Sequence, residues 1–292
     1  MTVIKMILVQ VLFGMAACCV NTQSVTLHAQ PVRKENLLHD KEYKAEWEFY
    51  FSTVDDKLGS IAVDLGFHNV APMQDKQNVA WVSIKLKSPR EDGLTTADES
   101  VLLGQIEDKV VEKVSSALNA VYVGRLTSDG HRDFYFYISD TSLFGKLVKE
   151  AMTGYDQYQY EFGAKPDMGW EGYLGFLYPN PQQFQTILNR RVVDQLEKGG
   201  DKLTKAREVS HWIYFKTEAD RNSFLQKVRK DGFSLLSSSY DQKLTAFPYK
   251  LVITRVDKVD WQSVNEYVIP LWRLASESNG DYDGWETEII KE

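Results

Sequence analysis

The chain has 292 residues, 43% hydrophobic and 12% aromatic, which is enough for one large or two ordinary cores and too much for extended disorder. Its net charge is −7, unevenly spread: residues 1–180 hold 17 Lys/Arg against 24 Asp/Glu, and residues 181–292 hold 17 against 17. Neither half has the basic balance that binding along a phosphate backbone requires, so direct nucleic-acid binding is disfavoured.

Met1–Lys5 carry one positive charge, residues 6–20 are mostly apolar, and no acidic residue precedes Glu35. This is the layout of a secretory signal, too short for a comfortable membrane span. Met15-Ala16-Ala17-Cys18 resembles a lipoprotein box that would leave Cys18 lipidated, and cleavage after Ala29 is the other ending; a misassigned start or a buried apolar segment is the bland alternative. The expectation is an exported protein, periplasmic or lipid-anchored, with a leader over 1–29 and a flexible stretch to about residue 41; a cytoplasmic protein is the alternative. The two cysteines, Cys18 and Cys19, both lie in that leader, so the body has no disulfide, thiolate nucleophile or cysteine metal site.

Beyond the leader, Glu46–Phe51 and Ser60–Gly66 read as strands joined through an Asp55-Asp56-Lys57 turn. Val79–Leu86 alternates, with Val82, Ile84 and Leu86 on one face. Thr96 is placed to cap a helix with Glu99 at the capping-box position, and Val101, Leu102, Ile106, Val110, Val111, Val114 and Leu118 recur at helical spacing. Asp129-Gly130, between Val121–Leu126 and Arg132–Ile138, is a strong hairpin turn. A short helix over 142–152 and a Tyr-rich strand over 156–163 complete the first domain, expected to span 42–164.

Gly, Pro and aromatics break the pattern over 165–181, which reads as a linker. Asn180-Pro181 then opens a helix lined by Phe184, Ile187, Leu188 and Leu196, and Gly199-Gly200 stops it. Strands follow at 209–215, 233–236 and 250–256, with helices over 217–230 and 260–278 and a last short strand near 285–290. Pro270 should kink the final helix or start a second turn. In both 79–162 and 209–290 the strands and helices follow the order β-α-β-β-α-β, the second run preceded by the helix that opens at Asn180-Pro181. The expected fold class is therefore α+β: two tandem ferredoxin-like domains, the first with an extra N-terminal β-hairpin.

Two stretches carry a family likeness. Leu196-Glu-Lys-Gly-Gly-Asp201, the strand through His211 and Phe215, Gly232-Phe233, and Asp281-Tyr-Asp-Gly-Trp285 resemble the family of the regulator of ribonuclease E activity B, over about 182–292. That resemblance implies a ferredoxin-like fold and a protein partner, an RNA-degrading endonuclease inhibited by binding. Trp47-Glu-Phe-Tyr50, Gly93–Glu99, Ile106-Glu-Asp108, Val123-Gly124, Gly130-His-Arg132 and Phe134–Tyr137 resemble domain of unknown function family 695, which implies a fold and no activity.

Chemistry is sparse. Asn279–Gly284 has the spacing of a calcium-loop opening but Asn at position 1 and Ile290 at position 12, so the favoured reading is a helix stop and a turn that places Trp285 in the core. Asp281, Tyr282, Asp283 and Trp285 are the candidate partner-binding residues, with an aromatic as anchor. Arg125 and Arg132 flank the Asp129-Gly130 turn and are the candidate anion site, weighed against ordinary surface charge beside Asp64, Asp129 and Asp133. The five histidines, His28, His39, His68, His131 and His211, show no metal spacing, and His211 is expected on a partly buried face. No nucleophile elbow or phosphate loop occurs, so no cofactor, metal or enzyme activity is expected; a carboxylate/His site assembled in space is the alternative. The eight aromatics from Tyr155 to Tyr178 are read as glue between domains, with an exposed ligand platform as the alternative.

Overall fold

The computed structural model describes residues 42–291. Cys18, His28, His39 and the two leader endings lie outside the described residues. The described chain is α+β, with one six-stranded and one four-stranded antiparallel sheet.

Strands β1 (Trp47–Val54) and β2 (Lys57–Asp64) form a hairpin. Its turn places Asp55 and Asp56 at φ 48° and 61°, the left-handed pair that matches the twist of the flanking strands. β3 (Asn78–Lys85), α1 (Ala97–Leu118), β4 (Val121–Ser128), β5 (His131–Ile138), α2 (Phe144–Ala151) and β6 (Tyr160–Pro166) follow. The sheet order is β1-β2-β4-β5-β3-β6. Without the hairpin, the four strands lie fourth, first, third, second. The turn at Asp129-Gly130 is as expected, with φ 45° and 76°.

Thr96 caps α1 by accepting from the Glu99 N–H at 3.4 Å. The expected capping box is only half present. The Glu99 carboxylate turns away and accepts from the N–H groups of Lys87 and Ser88, at 2.7 and 3.1 Å, fastening the β3–α1 connection. Leu103, Ile106, Val110 and Val114 form the buried stripe of α1, whereas Val101 is exposed. Val101 precedes Leu103 by two residues, about 200° of rotation, so both cannot face the sheet.

The larger sheet is buried on both faces. Val82, Ile84, Phe134 and Phe136 meet α1 and α2 on one side. Ile61, Val63, Val79 and Tyr137 meet a second layer on the other, built from Phe67, Trp170, Tyr173, Leu177 and Ile187. Residues 165–181, expected as a linker, supply much of that layer. Lys165 and Pro166 belong to β6, and Gly172–Leu177 form a π-helical turn. Trp170 stacks on Tyr137 at 3.9 Å and donates to the Lys76 carbonyl at 2.7 Å.

The second half begins with α3 (Pro181–Lys198), whose Asn180 and Gln183 form a complete capping box. β7 (Arg207–Phe215), α4 (Glu218–Val228), β8 (Ser234–Tyr240), β9 (Tyr249–Asp257), α5 (Trp261–Glu277) and β10 (Gly280–Thr287) follow. The sheet order is β10-β7-β9-β8, again fourth, first, third, second. Thr217 and Asp260 cap α4 and α5. α5 runs through Pro270, which lacks the N–H that would bond the Glu266 carbonyl one turn back.

The tail corrects an expectation. Asn279, at φ 53°, stops α5, and Gly280–Thr287 continues at once as a full strand on β7 rather than as a turn followed by a short strand near 285–290. The run weighed as a calcium loop is therefore extended backbone beyond its first residue.

Candidate functional site

β7 alternates about the sheet, so Val209, His211, Ile213 and Phe215 face the helices. On its neighbour β10, strict alternation would send Tyr282 and Trp285 to opposite faces. A bulge prevents this. Tyr282 pairs with Ile213, Gly284 with Trp212 and Trp285 with His211, so Asp283 is the extra residue. Gly284 takes φ 149° at the bulge, a value side-chain-bearing residues rarely adopt. Tyr-Asp-Gly-Trp is thus the local code for placing two aromatics three residues apart on one buried face.

Both aromatics reach polar partners inside. The Tyr282 hydroxyl lies 2.8 Å from His211 Nδ1, and Trp285 Nε1 donates to Asn189 Oδ1 on α3 at 3.2 Å. Asn189 in turn donates to Asn265 of α5 at 2.9 Å and accepts from Gln185 at 3.0 Å. His211 is fully buried rather than partly buried as expected, and its Nε2 has no hydrogen-bond partner among the described residues. Its ring stands nearly perpendicular to Phe233 and Tyr267, at 5.5 and 5.8 Å. Burial, then the nearby Arg255 guanidinium, pull its pKa down to about 3. The geometry fits a neutral imidazole that accepts from Tyr282, whose own pKa burial drives far up, and keeps its proton on Nε2, edge-on to aromatic rings. A base so depressed and sealed is far from the poise that acid–base catalysis needs.

Phe233 and Tyr267 separate His211 from a surface cleft of about 410 Å³, floored by Val228, Leu271 and Leu274. Arg255 fills part of it. Its guanidinium lies 4.1 Å from the Phe233 ring, while Nε donates to Asp257 Oδ2 at 2.7 Å and one terminal nitrogen to the Asp231 carbonyl at 2.8 Å.

The candidate partner-binding residues divide between two faces. Tyr282 and Trp285 are 6% and 1% exposed and face the helices, so neither anchors a partner. Asp281 pairs with Tyr214 and lies on the opposite face. The candidate anion site also dissolves. Arg125 makes a two-oxygen pair with Glu107 of α1 at 2.6 and 2.9 Å, and Arg132 is buried with Nε donating to Thr127 Oγ1 at 2.9 Å. A carboxylate already neutralises Arg125, and burial followed by Arg125 lowers the Arg132 pKa. The sequence signal for this pairing was a Glu on the apolar stripe of α1, between Ile106 and Val110.

A different surface emerges at the junction of the two halves. Trp47, Phe49 and Phe51 alternate with Glu48 and Tyr50 on β1, and the three aromatics are 47%, 45% and 40% exposed. Phe51 lies 6.1 Å from Trp261 at the start of α5, itself 41% exposed, and Phe49 lies 6.3 Å from Phe51. Beneath this patch the halves are clamped. Arg190 of α3 pairs with Glu48, donates to the Phe49 carbonyl and places its guanidinium 3.7 Å from the Phe49 ring. Arg191 donates to Glu48 and Glu46, both at 2.6 Å. The aromatic-rich strand was visible in the sequence; its exposure and its partners, about 140 residues away, were not. Of the aromatics read as glue, Tyr158, Trp170 and Tyr173 are buried, while Phe176 is 38% exposed beside Tyr135.

Two family models match the chain, one after the other. Residues 45–178 match a family of unknown function, DUF695, and residues 186–287 match Regulator of ribonuclease activity B. The halves of the chain are therefore similar to two separate families, meeting at the start of α3. No curated protein matches. A solved structure titled as an unknown protein from Galdieria sulphuraria aligns with 74% of this chain and 99% of its own, at 12% identity and a TM-score of 0.20, too low to bear on the fold.

Proposed function

We propose that this protein is a non-catalytic regulator acting by protein–protein contact, built from two ferredoxin-like modules, the first carrying the extra hairpin. The observation that carries the reading is the junction patch of Trp47, Phe49, Phe51 and Trp261. Four large aromatics exposed together, with an arginine among them, have the composition of an interface anchor rather than of scattered surface residues. The fourth-first-third-second strand order of both sheets supports the ferredoxin-like description. The match to Regulator of ribonuclease activity B supports a regulatory role, and favours a second reading in which the partner is a ribonuclease in the cytoplasm. The apolar run over residues 6–20 supports the bacterial envelope as the place of action.

Capture of partners by the full chain should therefore depend on the patch. The double variant Trp47→Ala, Phe51→Ala should weaken capture at least about tenfold, as expected for removing hot-spot aromatics, with an unchanged melting temperature. Undiminished capture by a folded variant would remove the patch from the proposal. Cell fractionation with N-terminal sequencing separates the two compartments. A mature terminus at Cys18 or just after Ala29 favours the envelope, and intact Met1 with a ribonuclease in the eluate favours the second reading.

A further inference from the structure

In the larger sheet α2 packs against β6 and α1 against β4, with β3 and β5 between them. The hairpin adds β2 and β1, over which no helix lies on this side among the described residues. The register shows what the bare strip carries. Phe49 is opposite Ala62, Ala62 opposite Arg125, and Arg125 opposite Phe134, which faces α1. Residues directly opposite share a face, so Trp47, Phe49 and Phe51 point to the same side as α1 and α2. The strip is two strand spacings wide, about 10 Å, and one helix has about that width. The neighbouring flank of α1 leaves room for one. Glu107 reaches Arg125 on β4, Val110 is buried, and Lys109 turns the other way to donate to the Thr153 carbonyl, just past α2, at 2.8 Å. At about 100° per residue, Asp108 falls between Glu107 and Lys109, on the flank above the strip, and Gly104 and Glu112 share its row at four-residue steps. A side-chain carbon on Gly104 would meet nothing within 4 Å. No described neighbour therefore requires a glycine in this helix interior, where it is a poor helix former; a second helix packed against α1 would.

We propose that this strip is the seat of an amphipathic helix supplied by a protein partner, with its apolar face on Phe49 and Phe51 and with lysine or arginine along the edge that meets α1. This rests on the proposed function, whose junction patch forms the floor, and names what the patch receives. Charge sets the edge. Asp108 and Glu112 are exposed and make no ion pair among the described residues. The cations around them are engaged elsewhere: Lys113 pairs with Glu150 of α2 at 2.8 Å, Arg125 with Glu107, and Arg190 and Arg191 with Glu48. The flank is therefore a negative row that a basic edge complements. β1 runs for 8 residues, about 27 Å, which a helix of about 18 residues matches. An amphipathic helix laid in an apolar groove is a recurrent mode of protein recognition.

Fluorescence anisotropy of synthetic peptides of that length against the full chain tests this. A Leu/Lys amphipathic helix should bind at about 10–100 µM. Its Leu/Glu counterpart, and the Leu/Lys peptide broken by two central prolines, should bind at least about tenfold more weakly. Gly104→Gln fills the flank and favours the helix, so it should keep or raise the melting temperature while weakening the Leu/Lys peptide at least about tenfold. Asp108→Lys, Glu112→Lys should weaken that peptide equally and bring the Leu/Glu peptide closer to it. Failure of the Leu/Lys helix to bind the full chain, whether residues 1–41 or nothing holds the seat, overturns the proposal. So do equal binding of the proline peptide, which marks an extended segment, and unchanged affinity in the α1 variants. A dimer of the full chain that Trp47→Ala, Phe51→Ala dissociates would give the seat to a second copy and overturn it as well. The proposed function is decided separately: if Trp47→Ala, Phe51→Ala loses partner capture while Gly104→Gln keeps it, the patch stands and the helix seat falls.

Discussion

Asp201→Ala is expected to cost about 3–5 kcal/mol of folding stability, the usual penalty for stranding one member of a buried ion pair. Asp201 and Arg207 have side chains only 2% exposed. One Arg207 nitrogen bonds Asp201 Oδ2, and the other donates to Oδ1 at 3.0 Å. The same carboxylate accepts from the Leu203 and Ile290 N–H groups, each at 2.8 Å. Burial alone would raise its pKa, but Arg207 and the two N–H groups outweigh that and hold it below the usual carboxylate range. Alanine removes all of these acceptors and leaves the guanidinium to the Lys205 and Glu288 carbonyls, both at 3.1 Å. It also frees the last residues, where Asp201 bridges Lys291 across β-type hydrogen bonds. Urea unfolding followed by tryptophan fluorescence measures the loss. The double variant Asp201→Ala, Arg207→Met should recover part of it, because the stranded charge is then gone. A single-variant cost under about 1 kcal/mol would contradict this account of the pair.

The second large effect is a pH dependence centred on His211. In the unfolded chain its imidazole titrates near the ordinary 6.5; in the folded chain burial and Arg255 lower that to about 3. Between those values the unfolded chain binds a proton that the folded chain refuses. His211 therefore imposes no penalty above pH 6.5. As the pH falls from 6.5 towards 3, stability declines by up to about 1.4 kcal/mol per unit from this one group, several kcal/mol in all, and below 3 it adds nothing more. Carboxylates contribute to the same acid limb, so the informative quantity is a difference. His211→Gln retains a group able to bond Tyr282 and removes the titration. Its stability should fall less steeply than the wild type's over that window, by close to one proton. Parallel slopes, or a His211 ring that titrates near 6 in the folded protein by NMR, would refute this.

Much of the architecture could be read before any coordinates, because the signals are local. Thr96, Asn180-Pro181, Thr217 and Asp260 each start a helix where a short polar side chain meets an apolar repeat. Asp129-Gly130 turns where only left-handed residues fit. The misreadings have physical reasons too. The first half of β10 reads as a turn because its bulge breaks the two-residue period, and Tyr282 and Trp285 at a spacing of three do not look like strand neighbours. The serine run of β8 has weak strand propensity and is held in place by β9. The Gly- and Pro-rich 165–181 segment reads as a linker by composition, yet it folds because Trp170 and Tyr173 find a sheet face to cover. The candidate site was less legible than the fold. Burial withdrew Tyr282 and Trp285, Glu107 neutralised Arg125, and the junction patch is assembled from β1 and α5, segments about 210 residues apart in a 292-residue chain.

Asn189 and Arg190 are consecutive on α3. The first holds Trp285 of the second module, and the second holds Glu48 and Phe49 of the first. One turn of helix is therefore at once a core element of one half and a clamp on the other. The chain has no free hinge where its two halves meet: cutting it between residues 178 and 186 to free the second half would strip β1 of its clamp and bare Phe184 and Ile187, which belong to the first half's core. The two halves must therefore be transplanted as a pair.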